Sequence, residues 1–186
     1  MTDFYRQPHQ TQYGTQSAYT RKNGCTWSAG ANGIGATTGG KRRPTPDQLH
    51  TFLKRSEETS PATPGWSMPD LEKATKRYGV ECRNRTDAGF VGAHGWAGIR
   101  KALRWGRYVV AQGDSDRFGN NTCSGKFDGD HAIGISPMTR VVNGKTQHWI
   151  NDSVCKVGRW EYDAIIYSYA RKLVGPGGTL RWGAFL

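Results

Sequence analysis

The sequence predicts an α+β fold in which N-terminal helices pack against a C-terminal antiparallel sheet. Apolar residues recur at helical spacing in three segments between residues 45 and 106. Beyond residue 107, β-rich runs flank Asn143-Gly144, and this dipeptide is the strongest short signal for a two-residue hairpin. Helices that precede strands in this way are typical of α+β domains.

Helix starts are the clearest local signals. Thr45-Pro46-Asp47 combines a Thr N-cap, a proline at the first position and an acid in the first turn. Two more helices are expected at 69–79 and 96–106, each ending at a glycine. The small-residue stretch 24–40 is expected to be a helix in its first half and a glycine-rich loop in its second half.

The other elements follow from β-rich runs and polar loops. The interpretation, in chain order, is a strand at 80–83, a buried strand at 107–111, a loop at 112–130, strands at 131–136, 140–142 and 146–150, and a last helix at 162–173.

One folded domain is expected, because 186 residues are enough for one sizeable core and too few for two. Residues 1–20 are polar and rich in Gln, Thr and Tyr, so they are predicted to form an extended arm. The folded domain is assigned to residues 21–174, and residues 175–186 are predicted to be an irregular tail.

The chain is strongly basic, with 26 Lys and Arg against 15 Asp and Glu and a formal net charge of +11. Such a charge attracts polyanions such as nucleic acid, anionic lipid surfaces or acidic wall polymers. A basic surface without a dedicated partner is the equally weighted alternative. No membrane span is expected, since there is no run of 18 apolar residues, and no secretory signal is expected because residues 1–24 lack an apolar region.

The four cysteines do not predict a metal site, because none forms a CxxC pair and their spacing matches no zinc motif. If Cys25 is reserved for chemistry, at most one disulfide can form among Cys82, Cys123 and Cys155. No cofactor and no metal are expected.

Three residues, in the order Cys, His, Asp, predict a catalytic site. Cys25 lies where a loop turns into a helix, and a helix N-terminus favours a thiolate. His131 begins a predicted strand, and Asp152 follows the second strand of the predicted hairpin. The sheet then brings an imidazole and a carboxylate to one edge, as an activated nucleophile requires. The alternative for each residue alone is structural: a buried cysteine, a surface histidine and a turn aspartate.

The segments around these residues resemble those of papain-like, C39-like cysteine peptidases. GCTWSAG, which begins at Gly24, is similar to the papain-like segment in which Cys-x-Trp begins the central helix. GDHAI at 129–133 resembles the strand with the catalytic His, and WINDS at 149–153 resembles W-x-x-N-S or the C39-like Asp-Pro motif. LEKATKRYGV at 71–80 and IRKALRWGRYVV at 99–110 match the C39-like helices between them, so the likeness covers residues 19–170 in order.

This resemblance implies a papain-like fold with the nucleophile at a helix start, and hydrolysis of amide bonds through an acyl-thioester. Cys25 is then the nucleophile, His131 the general base and Asp152 the orienting carboxylate. The polar arm, the basic charge and the missing signal resemble phage or bacterial wall-active peptidases. Peptide or peptidoglycan cross-bridges are the implied substrate, a virion assembly the implied partner, and the producing cell's cytoplasm or a virion the implied location. Such a protein acts outside the cell only if something carries it there.

Two departures from the family pattern leave alternatives open. Tyr19 stands six residues before Cys25, where the family usually has an oxyanion-hole Gln, and Gln16 lies further upstream. Loss of one oxyanion donor costs roughly a hundredfold or more in rate. Asn151 and Asp152 are adjacent and both fit the third catalytic position; Asp152 is preferred because it precedes Ser153.

Competing functions remain at this stage. A non-catalytic virion or wall-binding module that retains the fold is favoured by Tyr19, and transglutaminase-like transfer differs only in the acyl acceptor. The segment 35–42 nearly matches a phosphate-binding loop, but Arg42 replaces its Ser or Thr and no strand precedes it. A flexible connection is the preferred interpretation of that segment.

Overall fold

The computed structural model describes residues 10–11, 24–56, 68–85, 88–89, 95–119, 123, 130–172 and 179–186. Within these ranges the chain has an α+β fold: helices pack against a six-stranded sheet, and every strand pair is antiparallel. The predicted fold class is therefore confirmed at this level. In the described segments, no helix has the length and apolar character needed to cross a bilayer.

The elements are numbered in chain order. The helices are α1 Cys25–Thr37, α2 Pro46–Ser56, α3 Met68–Lys76, α4 Trp96–Arg104 and α5 Asp163–Lys172. The strands are β1 Cys82–Asn84, β2 Ala88–Gly89, β3 Val109–Asp114, β4 Asp130–Val142, β5 Lys145–Asp152, β6 Arg159–Tyr162, β7 Thr179–Leu180 and β8 Trp182–Phe185.

The strand order of the large sheet is β1-β8-β3-β4-β5-β6, and β2 and β7 form a separate pair. The last strand in the sequence therefore lies inside the sheet, between β1 and β3. The prediction of an irregular tail at 175–186 is wrong for β8, whose four residues are all buried. Pairing on both sides satisfies the backbone of this short segment, which has no strong strand signal of its own.

The predicted hairpin between β4 and β5 is confirmed. Asn143 and Gly144 have φ values of 50° and 70°, as a type I′ turn requires. The two strands expected at 131–136 and 140–142 are instead one strand, β4, with a register shift between Ile135 and Thr139. Residues 136–138 are left out of the ladder, and pairing resumes on both sides of this irregularity within one strand.

Helix α1 runs through the glycine-rich half that was expected to be a loop. Its glycines are the points of closest packing: a Cβ on Gly30 would clash with Leu71, and one on Gly33 would lie 2.7 Å from the Phe185 ring. The small residues thus let the helix sit deep in the molecule, and α1 is buried from Thr26 to Ala36.

Helices cover both faces of the sheet, because successive side chains of a strand point to opposite faces. Tyr108 and Val110 pack in one apolar cluster with α1 and α3. Val109 and Ala111 pack in the other cluster with α4 and α5. The predicted loop at 112–130 is wrong at its start, where β3 continues to Asp114 and a 3-10 turn follows at Ser115–Phe118.

Little of the predicted arm is described. Gln10 is bound to α1, since its N–H donates to Asn32 Oδ1 at 2.9 Å and its carbonyl accepts from Asn32 Nδ2 at 3.1 Å. Residues 1–9 and 12–20 lie outside the described part of the chain.

We expect Gly33→Ala to be less stable than Gly35→Ala by about 1–3 kcal/mol, the usual effect of overpacking a core. The added methyl at Gly33 meets the Phe185 ring, whereas at Gly35 it meets only the Arg42 carbonyl at 3.9 Å. Both changes lie in α1, so their gain in helix propensity cancels in the comparison. Urea unfolding measures the difference, and equal stabilities would contradict the close packing of α1 on Phe185.

Candidate active site

Cys25 is the first residue of α1 and is half-buried. Gly24 is the N-cap, and its carbonyl accepts the first helical hydrogen bond, from Ser28 N–H at 2.9 Å. The N–H groups of the first turn therefore point out of the helix end, beside the thiol. A thiolate is stabilised in this position by the helix dipole.

His131 is the second residue of β4 and is 1% exposed. Its backbone is held in place from α5, because the Tyr169 hydroxyl hydrogen-bonds the carbonyl oxygens of His131 and Ala111. This contact fixes the start of β4 against β3. The imidazole is thereby placed by two strands and a helix.

Asp152 is the last residue of β5 and has no exposed surface. Its Oδ1 lies 2.8 Å from His131 Nε2 and accepts the Val154 N–H at 3.2 Å. Its Oδ2 accepts from Arg159 Nη1 at 3.1 Å. The carboxylate is therefore hydrogen-bonded through both oxygens while it holds the imidazole.

The Cys25 thiol and the His131 imidazole interact closely enough that each shifts the pKa of the other. Because Nε2 of the imidazole contacts Asp152, Nδ1 is the ring nitrogen that remains to exchange a proton with the thiol. Burial raises the pKa of Cys25, but the hydrogen bond and charge of His131 and hydrogen bonds from the Ala132 and Thr26 backbone outweigh it. The net result is a Cys25 pKa below its ordinary value.

The pKa of His131 shifts in the opposite direction and is raised. Burial lowers the pKa of His131, but the hydrogen bonds and charges of Asp152 and Cys25 raise it to about 9. A lowered thiol pKa beside a raised histidine pKa favours the thiolate–imidazolium form of the pair. Chemically, this pair is a nucleophile together with its proton donor.

Asn151 occupies a different environment from Asp152. Its Nδ2 donates to the Tyr108 hydroxyl at 3.0 Å, and its Oδ1 accepts from Trp149 Nε1 at 3.2 Å. Tyr108 belongs to the apolar cluster around α1. The structure therefore brings Asp152, and not Asn151, to His131. Gln16 and Tyr19, the two oxyanion-hole candidates, lie outside the described residues.

The sequence did not predict which residues hold Asp152 in place. Arg159 Nη1 also lies 3.1 Å from Cys155 Sγ, and its guanidinium lies over the Phe118 ring at 4.8 Å. Cys155 forms a disulfide with Cys123. This bridge agrees with the expected limit of one disulfide among Cys82, Cys123 and Cys155. No local pattern predicts this pairing, because the two cysteines are 32 residues apart.

Gln112 on β3 is a second polar group that the sequence did not single out. It lies opposite Ala132 in the β3–β4 ladder, and its Nε2 donates to Thr26 Oγ1 at 3.4 Å. Ala132 follows His131 in the sequence, and Thr26 follows Cys25. Gln112 therefore links β3 to the first turn of α1 beside the nucleophile.

Polar groups of the segment 35–42 form hydrogen bonds within the chain. The Arg42 guanidinium donates to the Tyr78 carbonyl, and Arg42 N–H donates to Thr38 Oγ1 at 3.1 Å. These contacts agree with a structural connection. Within the described ranges, no group of three or more His, Cys, Asp or Glu side chains is arranged to hold a metal ion.

Comparison with protein-family models and with curated proteins gives no match to this chain.

We expect iodoacetamide at about pH 6, without reductant, to label Cys25 selectively, because a thiolate is the reacting species. Burial raises the pKa of Cys82, and Cys123 and Cys155 are joined, so these three should remain unlabelled. His131→Ala should slow the labelling by roughly tenfold or more, since about 1.4 kcal/mol of thiolate stabilisation corresponds to a factor of ten.

Brief alkylation followed by peptide mass spectrometry measures this rate, and Asn151→Ala is the matched control. Labelling of Cys25 that is unchanged in His131→Ala would mean that no thiolate–imidazolium pair exists.

Proposed function

We propose that the protein is a cysteine peptidase that hydrolyses amide bonds through an acyl-thioester on Cys25. The observation that supports this most directly is the placement of His131 between the Cys25 thiol and the buried Asp152 carboxylate. Such a thiol–imidazole–carboxylate series is the arrangement of an activated nucleophile.

In the acylation step, the Cys25 thiolate attacks the carbonyl carbon and the carbonyl π electrons move to oxygen. The imidazolium of His131 then gives its Nδ1 proton to the amide nitrogen. The C–N bond breaks, an amine leaves, and a thioester remains on Sγ. N–H groups at the first turn of α1 lie beside Sγ, where they stabilise the negative oxygen.

In the deacylation step, neutral His131 takes a proton from water, which attacks the thioester carbonyl. The C–S bond breaks, a carboxylic acid leaves, and the thiolate–imidazolium pair is restored. Asp152 keeps Nε2 protonated and holds the ring in one orientation throughout, so that Nδ1 faces sulfur and the leaving group in turn.

We further propose a papain-like, C39-like fold for the domain. In support, the nucleophile begins a buried helix that packs on an antiparallel sheet, and the base and carboxylate lie at neighbouring ends of β4 and β5. The ordered motif resemblance over residues 19–170 supports the same assignment.

Peptidoglycan cross-bridges are the proposed substrate, for a virion-associated or lytic enzyme. The support is the resemblance to wall-active peptidases and the net charge of +11, which favours approach to anionic walls.

The test is to incubate the full chain with purified cell walls and to measure the amines and reducing sugars that are released. A peptidase releases amines and no reducing sugars, and Cys25→Ala abolishes the release. Amine release by Cys25→Ala would contradict the proposal. Retained fold and wall binding with no release from either protein would favour the non-catalytic module, and incorporation of an added amine would favour acyl transfer.

A second prediction separates the two residues at the end of β5. We expect Asp152→Ala to lower kcat by roughly a hundredfold or more, the scale set by a misplaced catalytic group. Asn151→Ala should mainly lower stability, by about 1–3 kcal/mol, because the Tyr108 hydroxyl loses a buried partner.

Steady-state kinetics and thermal unfolding of both variants measure this split. If Asn151→Ala loses more turnover than Asp152→Ala, the carboxylate is not the group that orients His131.

A further inference from the structure

A basic groove lies beside helix α4. It has a cavity of about 220 Å³, and its walls include four cationic and two aromatic side chains: Arg83, Arg85, Lys101, Arg107, Trp105 and Trp182. We call it the α4–β1 groove, because α4 forms one wall and β1 with Arg85 forms the other.

The groove and α1 lie on opposite faces of the sheet. Trp182 and Ala184 of β8, which line the groove, pack in the apolar cluster that includes α4 and α5. Helix α1 packs in the other cluster, on the opposite face. A ligand in the α4–β1 groove is therefore separated by the sheet from α1, the helix that begins at Cys25.

The cations stand on both walls of the groove. Arg83 and Arg85 come from β1 and the residue after it, while Lys101 and Arg107 come from α4 and the segment that follows it. Among the described residues that line the groove there is no carboxylate. Arg83 forms a salt bridge with Glu81 at 2.7 Å. The other three cations give the groove a clear excess of positive charge. Such a groove is complementary to a chain of anionic groups.

One aromatic residue, Trp105, contacts two of these cations. Trp105 is 60% exposed, and its ring lies 4.7 Å from Lys101 Nζ and 4.8 Å from Arg107 Cζ. Cation–π contacts of this kind fix flexible side chains in one position. The other ring, Trp182, is only 5% exposed. Trp182 therefore offers no free face for a stacked nucleobase, and the Trp105 ring is already in contact with two cations.

We propose that the α4–β1 groove binds a linear polyol-phosphate polymer of the teichoic-acid type through its phosphate groups. Such a polymer has repeated anions and no rings, so it uses fixed cations and needs no stacking surface. A concave groove also fits a chain better than it fits the flat array of headgroups on a membrane. This inference does not depend on catalysis by Cys25.

The experiment measures binding of purified poly(glycerol phosphate) to the full chain by isothermal titration calorimetry at low salt. The double variant Lys101→Glu with Arg107→Glu should bind at least about tenfold more weakly, since charge reversal turns attraction into repulsion. The control, Lys41→Glu with Lys145→Glu, changes two exposed lysines outside the groove and the same amount of net charge. It should lose less than about threefold, because screening weakens distant charges.

The salt dependence gives an independent measure. Each phosphate contact contributes a slope of about −0.7 to −0.9 in a plot of log affinity against log salt for nucleic acids, and we expect a similar value here. Neutral Lys101→Gln with Arg107→Gln, which removes two contacts without repulsion, should therefore reduce the slope by roughly one to two.

Two results would overturn the proposal. Equal losses in the groove and control variants would mean that net charge alone attracts the polymer. An oligo(dT) with the same number of phosphates that binds about tenfold more tightly than the polymer, and loses that advantage in Trp105→Ala, would identify single-stranded nucleic acid as the ligand. Circular dichroism of each variant verifies that it is folded.

Discussion

A carboxylate excluded from water needs partners for its charge, and Asp152 obtains them from both sides. His131 Nε2 lies against one oxygen at 2.8 Å and Arg159 Nη1 against the other at 3.1 Å. Removing one partner of such a buried ionic group typically destabilises a protein by about 3–5 kcal/mol. The raised pKa of His131 depends on this carboxylate and on Cys25. Its contribution to stability is complete below the ordinary histidine pKa and is lost as the pH rises through about 9.

The rest of the fold positions the side chains of Cys25, His131 and Asp152 close to one another. The β4–β5 ladder places Asp152 opposite Ile133, two residues from His131, so the base and the carboxylate meet where β4 begins and β5 ends. Glycines allow α1 to pack deeply, and the half-buried Cys25 is the first residue of this helix. The Cys123–Cys155 disulfide and the contact of Arg159 with Cys155 restrain the turn that follows Asp152. Precise positioning of this kind is what catalytic groups require.

Local signals in the sequence were sufficient to predict the helix start at Cys25 and the β4–β5 hairpin, which are the parts of the site that depend on local structure. Asn143-Gly144 fixes the register next to the turn, and the register shift between Ile135 and Thr139 then places Asp152 opposite Ile133, two residues from His131. Strand β8 was missed because Trp182–Phe185 is short and becomes a strand only by pairing between β1 and β3. Arg159 and the disulfide were missed because their partners are set by the folded chain. The glycines of α1 suggested a loop, since helix propensity does not include the packing of Leu71 and Phe185.

The most direct test of the Cys25–His131 ion pair is a pH titration of the His131 imidazole by ¹⁵N NMR, with its signal assigned from the spectrum of His131→Gln. We expect His131 to stay an imidazolium through neutral pH and to titrate near 9. In Cys25→Ser the pKa should fall, because the thiolate no longer stabilises the positive charge. Titration of His131 near its ordinary value of 6.5, unchanged in Cys25→Ser, would contradict the ion pair and with it the proposed chemistry.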